Sequence, residues 1–305
     1  QANPGFIQPE FRKNEVLGFL RQPLLDLCIS RPKARLSWGV ELPFAPDYVT
    51  YVWFDALLNY ATGVGFAQPE RKAEFEKWWQ ETRAIHLIGK DILTPHAVYW
   101  PTMLMALGVA LPKTIFAHGW WLIDGEKMSK SKGKVVKPLD VKDVVGLDPL
   151  RYFLTRDISL GNDASFSADL VVSRVNAELA NNLGNLLSRT TNIVEKNFGG
   201  LAPAKPSSPA PETTALLAKI GAVGGLVKKA IEAMDPQGTV QHIVDVLNDT
   251  NKYIGDRAPW KQVKEPDLAP AAETLYACLE ALRVSGILLE RRYQRLRGYG
   301  AYEAH

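Results

Sequence analysis

Apolar and polar positions along the chain follow two patterns, which meet near residue 166. In the first part, short β-branched and aromatic runs alternate with longer apolar stretches rich in unbranched residues. The runs Val49–Phe54, Ala84–Gly89 and Lys113–His118 predict buried strands, and Thr94–Leu107 predicts a helix kinked at Pro101. Strands separated by helices indicate a parallel sheet with crossover connections, so we predict an α/β fold for this part.

The second part has the apolar spacing of amphipathic helices. Ser167 is a suitable N-cap for a long helix that runs to about Asn197, and the pair Gly199 and Gly200 would end it. The proline-rich stretch over residues 201–211 predicts a loop. Three further helices are predicted over residues 212–234, 237–255 and 270–297. We therefore predict an all-α helical bundle.

Composition narrows the class of protein without naming a partner. The chain has 305 residues and a formal net charge of +3, which is compatible with an RNA partner but does not establish one. No run of about 18 apolar residues occurs, so we expect no membrane partner. Cys28 and Cys278 lie far apart and form no paired motif, so we expect no zinc site, reduced thiols and a cytoplasmic location.

A lysine-rich segment follows the turn dipeptide Asp124-Gly125, and residues 126–134 predict an exposed mobile loop. It contains Lys127-Met128-Ser129-Lys130-Ser131, in which two lysines three apart can reach successive phosphate oxygens. When a carboxylate attacks the α-phosphate of ATP, ammonium groups stabilise the charge that develops on the leaving pyrophosphate. A solvated lysine cluster is the alternative interpretation, and the chain has no Gly-rich P-loop motif.

A second candidate element follows the predicted strand that ends at Gly89. A glycine at the carboxyl end of a parallel strand lets a nucleotide approach the backbone. Asp91 follows by two residues, where a carboxylate can pair with an ammonium group or a ribose hydroxyl, and His96 follows by five more. The alternative is a helix-capping aspartate beside a structural histidine.

A third candidate element is aromatic. Trp53, Ala56 and Tyr60 could share one face if the strand turns into a helix near Asp55. Aromatic edges suit the polarisable thioether of methionine, so this face could line a methionine pocket. For aromatic residues alone, an ordinary aromatic core is the simpler interpretation.

Together these strings resemble a known family. The segment Lys127–Ser131 is the signature loop of class I aminoacyl-tRNA synthetases, and Gly89–His96 resembles another element of that class. The strings Tyr51–Ala56, Ala117–Trp121 and Leu150–Leu154 are similar to methionyl-tRNA synthetases in particular. The resemblance implies the second half of a Rossmann-like parallel-sheet nucleotide-binding domain, followed by an all-α anticodon-binding helical bundle.

The resemblance also implies roles for single residues. Asp91 would hold the amino group of methionine, with Tyr60 and His96 near its sulfur, and Lys127 and Lys130 would act on the phosphates. The complete implied methionine pocket is Trp53, Ala56, Leu57, Tyr60, Asp91, Ile92, His96 and Trp100. The implied ATP-binding residues are Gly89, Gly119, Trp120, Trp121, Lys127, Met128, Ser129, Lys130 and Ser131.

In the predicted bundle, Asn185 and Arg189 lie four residues apart and share a helix face, and Trp260 follows Pro259. Unstacked RNA bases are held by aromatic stacking and by hydrogen bonds to their edges. The resemblance assigns these three positions to recognition of the CAU anticodon. An exposed helix face and a tryptophan that packs a loop are the alternative.

The implied activity is that of a methionine–tRNA ligase, with L-methionine, Mg-ATP and tRNA(Met) as partners, no DNA and no other metal. The implied domains are residues 1–134, 135–166 and 167–305, with no role for Glu290–His305. The H-I-G-H signature of the family is absent, so we expect a portion that cannot form methionyl-adenylate alone. Alternatives are a class I synthetase for a branched aliphatic amino acid and a non-catalytic tRNA-binding module.

Overall fold

The computed structural model describes residues 3–128, 135–158 and 161–297, with side chains described as far as Glu290. Contacts divide the chain into an N-terminal unit, Gln1–Trp120, and a C-terminal unit, Trp121–His305. This division falls before the boundaries at residues 134 and 166, which stay predictions, because the segment after Trp120 packs with the helices that follow it.

A parallel sheet forms the centre of the N-terminal unit, as the strand pattern predicts. Its strands are β1 (Ile7–Gln8), β6 (Thr114–His118) and β5 (Ile85–Gly89), with β6 in the middle. Apolar residues from the strands and from the segment after β5 build one core; they are Ile7, Val16, Ile88, Leu93, Ala97, Ile115 and Ala117. Helix α1 (Glu10–Leu20) follows β1 and contributes Val16. The α/β class is confirmed for this part.

A small antiparallel sheet precedes the first candidate site segment. It consists of β2 (Ser30–Pro32), β4 (Ala45–Thr50) and β3 (Glu41–Leu42). The prediction of a strand over Val49–Phe54 is wrong beyond Thr50, because helix α2 (Val52–Ala56) begins there. The amides of Phe54 and Asp55 both bond to the carbonyl of Tyr51, so local helical hydrogen bonds outweigh the strand propensity of these residues.

Short helices carry the chain from α2 to β5. They are α3 (Asn59–Thr62), a 3₁₀ turn at Pro69–Arg71, α4 (Lys72–Phe75) and a π-helical segment at Glu76–Glu81. They enclose a second core made of Leu57, Ala61, Phe75, Trp79, Trp100, Leu104 and Val109.

After β5 the chain forms a 3₁₀ turn at Lys90–Ile92, a π-helical turn at Pro95–Tyr99 and helix α5 (Trp100–Ala106). The helix predicted over Thr94–Leu107 is therefore confirmed. Its irregular turn lies directly before Pro101, whose ring nitrogen cannot donate a helical hydrogen bond.

The C-terminal unit opens with a hairpin of β7 (Trp121–Ile123) and β8 (Glu126–Lys127). Asp124 and Gly125 have φ of 52° and 76°, so the predicted turn is confirmed. The predicted loop over residues 126–134 is wrong at Glu126 and Lys127, which pair with β7, and its residues 129–134 lie outside the described part. Strand β9 (Ala164–Ser165) pairs with β7 in parallel. Between these strands lie helices α6 (Pro138–Val145) and α7 (Leu147–Arg156).

The long helix predicted from Ser167 is present in three consecutive segments. They are α8 (Ala168–Arg174), a π-helical segment at Val175–Gly184 and α9 (Asn185–Phe198). The Ser167 hydroxyl accepts a hydrogen bond from the Leu170 amide at 3.1 Å, and Gly199 ends the helix with φ of 60°. Both ends are therefore confirmed.

Three long helices complete the bundle, as predicted. They are α10 (Pro211–Glu232), α11 (Pro236–Arg257) and α13 (Ala269–Arg297), with the short α12 (Pro259–Gln262) before α13. Their shared core includes Leu186, Leu216, Ile220, Val223, Ile243, Leu247, Ile254 and Cys278. Among the residues that the structure describes, no helix has the length and apolar character needed to span a membrane.

Candidate active site

The candidate site of the N-terminal unit begins where β5 ends. Gly89, the last residue of β5, pairs with His118, the last residue of β6, so the carboxyl ends of both strands lie side by side. Ligands of open parallel sheets bind outside such strand ends. A Cβ on residue 89 would lie 2.7 Å from the Asp91 carboxylate. A glycine at this position therefore lets the carboxylate lie where it does.

Asp91 has neighbours of opposite character at this edge. The indole Nε1 of Trp120 donates to its Oδ1 at 3.4 Å, and the Lys90 ammonium lies 4.1 Å from the centre of the Trp120 ring. Asp91 itself is exposed. A carboxylate in this setting can accept hydrogen bonds from a ligand's ammonium group or hydroxyl. Lys90 was not among the predicted site residues, although it stands directly before Asp91.

Tyr60 and His96 form the polar part of the aromatic cluster. His96 Nδ1 lies 2.8 Å from the carbonyl of Ile92, which only accepts, so Nδ1 carries the proton. In the neutral ring Nε2 is then an acceptor, and the Tyr60 hydroxyl, 2.9 Å away, donates to it. Burial lowers the pKa of His96, which favours this neutral state, although the bond to Ile92 acts in the opposite direction.

A second histidine, His86, packs against the aromatic cluster. Its Nε2 accepts a hydrogen bond from the indole of Trp100 at 3.1 Å, and its ring centre lies 4.4 Å from that of Tyr60. Burial lowers the pKa of His86 to about 4, and protonation of the neighbouring His96 would add to this effect. His86 was not among the predicted site residues, although its place in β5 between the exposed Ile85 and Leu87 marks it as facing inward.

Exposure divides the eight predicted methionine-pocket residues into two groups. Trp100, Leu57 and His96 are almost fully buried, so they support the cluster and offer almost no surface to a ligand. The accessible members are Trp53, Ala56, Tyr60, Asp91 and Ile92. The rings of Trp53 and His96 meet edge to face at 5.6 Å, so the cluster is one packed unit.

The predicted ATP-binding residues fall in both units. Gly119 and Trp120 belong to the N-terminal unit, and Trp121, Lys127 and Met128 belong to the C-terminal unit. The Trp121 ring stacks on Phe153 at 5.7 Å and Met128 packs against the same cluster, so both have a structural role. Lys127 is exposed at the end of β8. Ser129, Lys130 and Ser131 lie outside the described residues.

The predicted anticodon residues are exposed on the bundle. Asn185 begins α9, and Arg189 follows one turn later with its Nε donating to the Asn185 carbonyl at 3.4 Å. The Arg189 guanidinium also donates to the amide oxygen of Asn251 on α11. Trp260 is 40% exposed in α12, and only the cap residue Ala258 separates α12 from the end of α11 at Arg257. Helix α11 therefore connects the partner of Arg189 to the segment that carries Trp260.

The chemistry of the N-terminal site follows from this arrangement. An aromatic and aliphatic surface with a phenol oxygen suits an apolar, polarisable side chain, and the nearby Asp91 suits an ammonium group. Among the described residues, no group of three His, Cys, Asp or Glu side chains is arranged to hold a metal ion.

A parallel sheet with a carboxylate and aromatic cluster at its strand ends, followed by a helical bundle, is the architecture expected of a class I tRNA synthetase. Residues 2–191 match the family model of the tRNA synthetases class I (M), and the chain belongs to this family.

Curated relatives refine the comparison. The chain is 44% identical over 291 residues to the methionine–tRNA ligase of Clostridium perfringens, covering 95% of this chain and 44% of that protein. It is 43% identical over 293 residues to the methionine–tRNA ligase of Mycobacterium bovis, covering 55% of that protein. The chain thus spans about half the length of these relatives.

A solved structure gives the same result for the fold. The Mycobacterium tuberculosis methionyl-tRNA synthetase bound by methionyl-adenylate matches with a TM-score of 0.86 and 41% identity. That match covers 95% of this chain and 56% of the solved one. The Rossmann-like sheet followed by a helical region is therefore confirmed.

Proposed function

We propose that this chain is part of a methionine–tRNA ligase, which activates L-methionine with Mg-ATP and transfers the methionyl group to tRNA(Met). The observation that carries the proposal is the aromatic cluster of Trp53, Tyr60 and His96. His96 is bonded to the carbonyl of Ile92, the residue after Asp91, in the turn that follows the carboxyl end of β5. The similarity to a synthetase whose structure contains methionyl-adenylate supports the same ligand here.

Methionine would be held by two kinds of contact. Asp91 would accept hydrogen bonds from the α-ammonium group, while Trp53, Ala56 and Ile92 would contact the thioether side chain. Tyr60 would present its oxygen near the sulfur, because its proton is donated to His96. The buried Leu57, His96 and Trp100 would position these groups without direct access to the ligand.

The nucleotide would be bound through backbone and ammonium groups. Gly89, Gly119 and Trp120 would lie close to the adenylate, since they belong to the strand ends or follow them. Lys127 and Lys130 would stabilise the charge that develops on pyrophosphate when the methionine carboxylate attacks the α-phosphate. Ser129 and Ser131 would add hydroxyl contacts. Catalysis would rest on positioning and charge stabilisation, without a covalent protein nucleophile.

The bundle would recognise the anticodon of tRNA(Met). Asn185 and Arg189 would hydrogen-bond to base edges, and Trp260 would stack on an unpaired base. Replacing Trp260 with alanine should weaken tRNA aminoacylation by the complete enzyme at least about fivefold while leaving methionyl-adenylate formation within about twofold, since one lost stacking contact costs roughly 1–3 kcal/mol.

Amino-acid specificity is tested by thermal denaturation of the chain with added amino acids. Methionine should raise the melting temperature more than leucine, isoleucine or valine at equal concentration. Asp91→Asn should abolish this increase, whereas Asp47→Asn, an exposed carboxylate of the same unit, should keep it. Stronger stabilisation by a branched aliphatic amino acid would favour a different class I synthetase.

Methionine-dependent exchange of pyrophosphate into ATP, measured on the complete enzyme, separates a catalytic role of this chain from a purely tRNA-binding one. We expect the 305-residue chain alone to show no exchange, because it spans about half the length of its relatives. The complete enzyme should exchange, and Lys127→Ala should slow it. An undiminished rate in that variant would contradict the role of Lys127.

A further inference from the structure

A row of side-chain amides crosses the C-terminal unit from Arg189 to a groove. Arg189 donates to Asn251 Oδ1, and Asn251 Nδ2 donates to Asn182 Oδ1. Asn182 Nδ2 then donates to Asn248 Oδ1 at 2.7 Å. The row joins the π-helical segment and α9 to α11, and every link is a direct side-chain hydrogen bond.

The direction of this amide row is set at its first member. A guanidinium only donates, so the group of Asn251 that faces Arg189 must be its oxygen. Asn251 Nδ2 also donates to the carbonyls of Asn182 and Leu247, which only accept, and this fixes the same orientation independently. Each following asparagine must therefore direct its side-chain oxygen towards the NH₂ group of the asparagine before it. At the end of the row, Asn248 directs its NH₂ group away from Asn182.

Asn248, which carries that NH₂ group, lines an open groove of about 450 Å³. The groove is bordered by Ala177, Glu178, Asn181, Asn182, Val244, Asn248 and Asn251. Asn248 is exposed, and among the described residues its Nδ2 has no protein acceptor within hydrogen-bonding distance. The row therefore ends in two N–H donors available to an acceptor from solvent.

Glu178 is the charged residue of the groove lining, and its charge is balanced by protein groups. Arg156 and Arg174 form ion pairs with it at 3.0 and 2.8 Å, and the Tyr152 hydroxyl donates to it. Although burial acts to raise the pKa of Glu178, these hydrogen bonds and charges lower it. Arg174 also pairs with Asp157 at 2.8 Å, so two carboxylates balance the two guanidinium groups, and Glu178 adds no uncompensated negative charge that would repel an anion.

We propose that this groove binds a phosphodiester of RNA next to the anticodon, with the Asn248 NH₂ group donating to a phosphate oxygen. The inference rests on the proposed function, because the same row begins at Arg189, a proposed anticodon contact. Asn182 and Arg189 are seven residues apart, so the groove lies roughly 10 Å along the helix from the Arg189 position. Asparagine side chains commonly contact the phosphates that set the register of a bound nucleic acid.

The sharpest test is Asn248→Asp. The aspartate keeps the oxygen that accepts from Asn182, so the amide row persists, but an anionic oxygen replaces the outward donors. We expect the affinity of the chain for a CAU anticodon stem–loop RNA, measured by fluorescence anisotropy, to fall at least tenfold. Asn248→Ala, which removes the donors without adding charge, should lower it about threefold.

Asn197→Asp is the matched control, because it makes the same charge change at an exposed position of α9. Its affinity for the stem–loop should stay within twofold of wild type. If Asn248→Asp behaves like Asn197→Asp while Arg189→Ala weakens binding, the groove proposal is overturned and the anticodon proposal stands. A wild-type chain that does not bind the stem–loop overturns both. Circular dichroism of each variant confirms that the bundle is folded.

Discussion

At the scale of single residues, the buried ring of His96 depends on the Tyr60 hydroxyl for a hydrogen bond. His96 is buried, and its Nε2 accepts from Tyr60 because Nδ1 is already bonded to Ile92. Tyr60→Phe would leave this nitrogen without its donor, and an unsatisfied buried acceptor costs about 1–3 kcal/mol. We expect this loss of unfolding free energy in urea denaturation followed by tryptophan fluorescence.

The control for that change is Tyr48→Phe. Tyr48 is exposed in β4, and removal of its hydroxyl should leave the unfolding free energy within about 0.5 kcal/mol of wild type. Equal stability of the Tyr60→Phe and Tyr48→Phe variants would contradict a stabilising hydrogen bond between Tyr60 and His96.

His86 makes the stability of the N-terminal unit depend on pH. Its pKa falls from 6.5 to about 4 on folding, so between these values the unfolded chain binds more protons. Stability is therefore complete above pH 6.5 and decreases as the pH falls towards 4. The loss expected from His86 is about 2 kcal/mol at pH 5 and about 3 kcal/mol below pH 4.

Urea denaturation at pH 7.5 and pH 5 measures this dependence. In His86→Gln the side-chain oxygen still accepts from the Trp100 indole but does not titrate, so the decrease between the two pH values should be smaller by about 2 kcal/mol. An equal decrease in both proteins would show that His86 is not buried in the neutral state. His96, whose pKa is also lowered, accounts for part of the decrease that persists.

At the scale of secondary-structure elements, Glu178 joins α7 to the long helix of the C-terminal unit. It accepts from Arg156 on α7 and from Arg174 on α8, and its side chain is largely buried. Glu178→Gln would leave the Arg156 guanidinium without its anion, whereas Arg174 would keep its pair with Asp157. Breaking a buried pair of this kind costs about 3 kcal/mol. Urea denaturation at pH 7 should show this destabilisation.

Glu280→Gln is the comparison for that change. Glu280 pairs with Arg283 on the outer part of α13, where an exposed ion pair contributes less than about 1 kcal/mol. The pKa of Glu178 is lowered in the native state, so the stability that Glu178 contributes is present above the ordinary glutamate pKa of 4.5 and is lost as the pH falls through the native pKa. The difference between wild type and Glu178→Gln should therefore shrink below pH 4.5.

Elements with strong local signals were predictable from the sequence. Ser167 as a cap, Gly199 as a helix end and Asp124-Gly125 as a turn each act through their own backbone or side chain. The start of α2 was not predictable from the sequence, because Val52 and its aromatic neighbours suit a strand equally well. The hydrogen bonds of α2 to Tyr51 decide that case, and periodicity does not report them.

At the scale of the whole molecule, sequence motifs predicted the residues of the candidate site. They did not predict which of these residues are accessible to a ligand and which only support the others. Tyr60 and His96 lie 36 positions apart, and their hydrogen bond follows from how α3 and the turn after β5 pack. The amide row is equally hidden, since Asn182 and Asn248 come from separate helices. Polar partners brought together by tertiary packing leave no periodic signal in the sequence.

The sheet of the N-terminal unit presents apolar surface at its edge. Strand β5 pairs with β6 and with no other described strand, and its residues Ile85 and Leu87 point away from the core. Leu87 is 64% exposed, and the half-exposed Trp78 borders the same surface as these two residues. Parallel sheets normally have both faces covered, so an uncovered strand edge with apolar side chains favours self-association.

We therefore expect the 305-residue chain to self-associate in sedimentation velocity experiments as its concentration rises. Leu87→Lys should reduce this association, because a charge on an edge strand opposes pairing with another strand. Leu139→Lys is the matched control: Leu139 is 67% exposed, but it lies on α6 in the C-terminal unit, and its replacement should leave association unchanged. Equal effects of both substitutions would mean that net charge, and not the β5 edge, governs association.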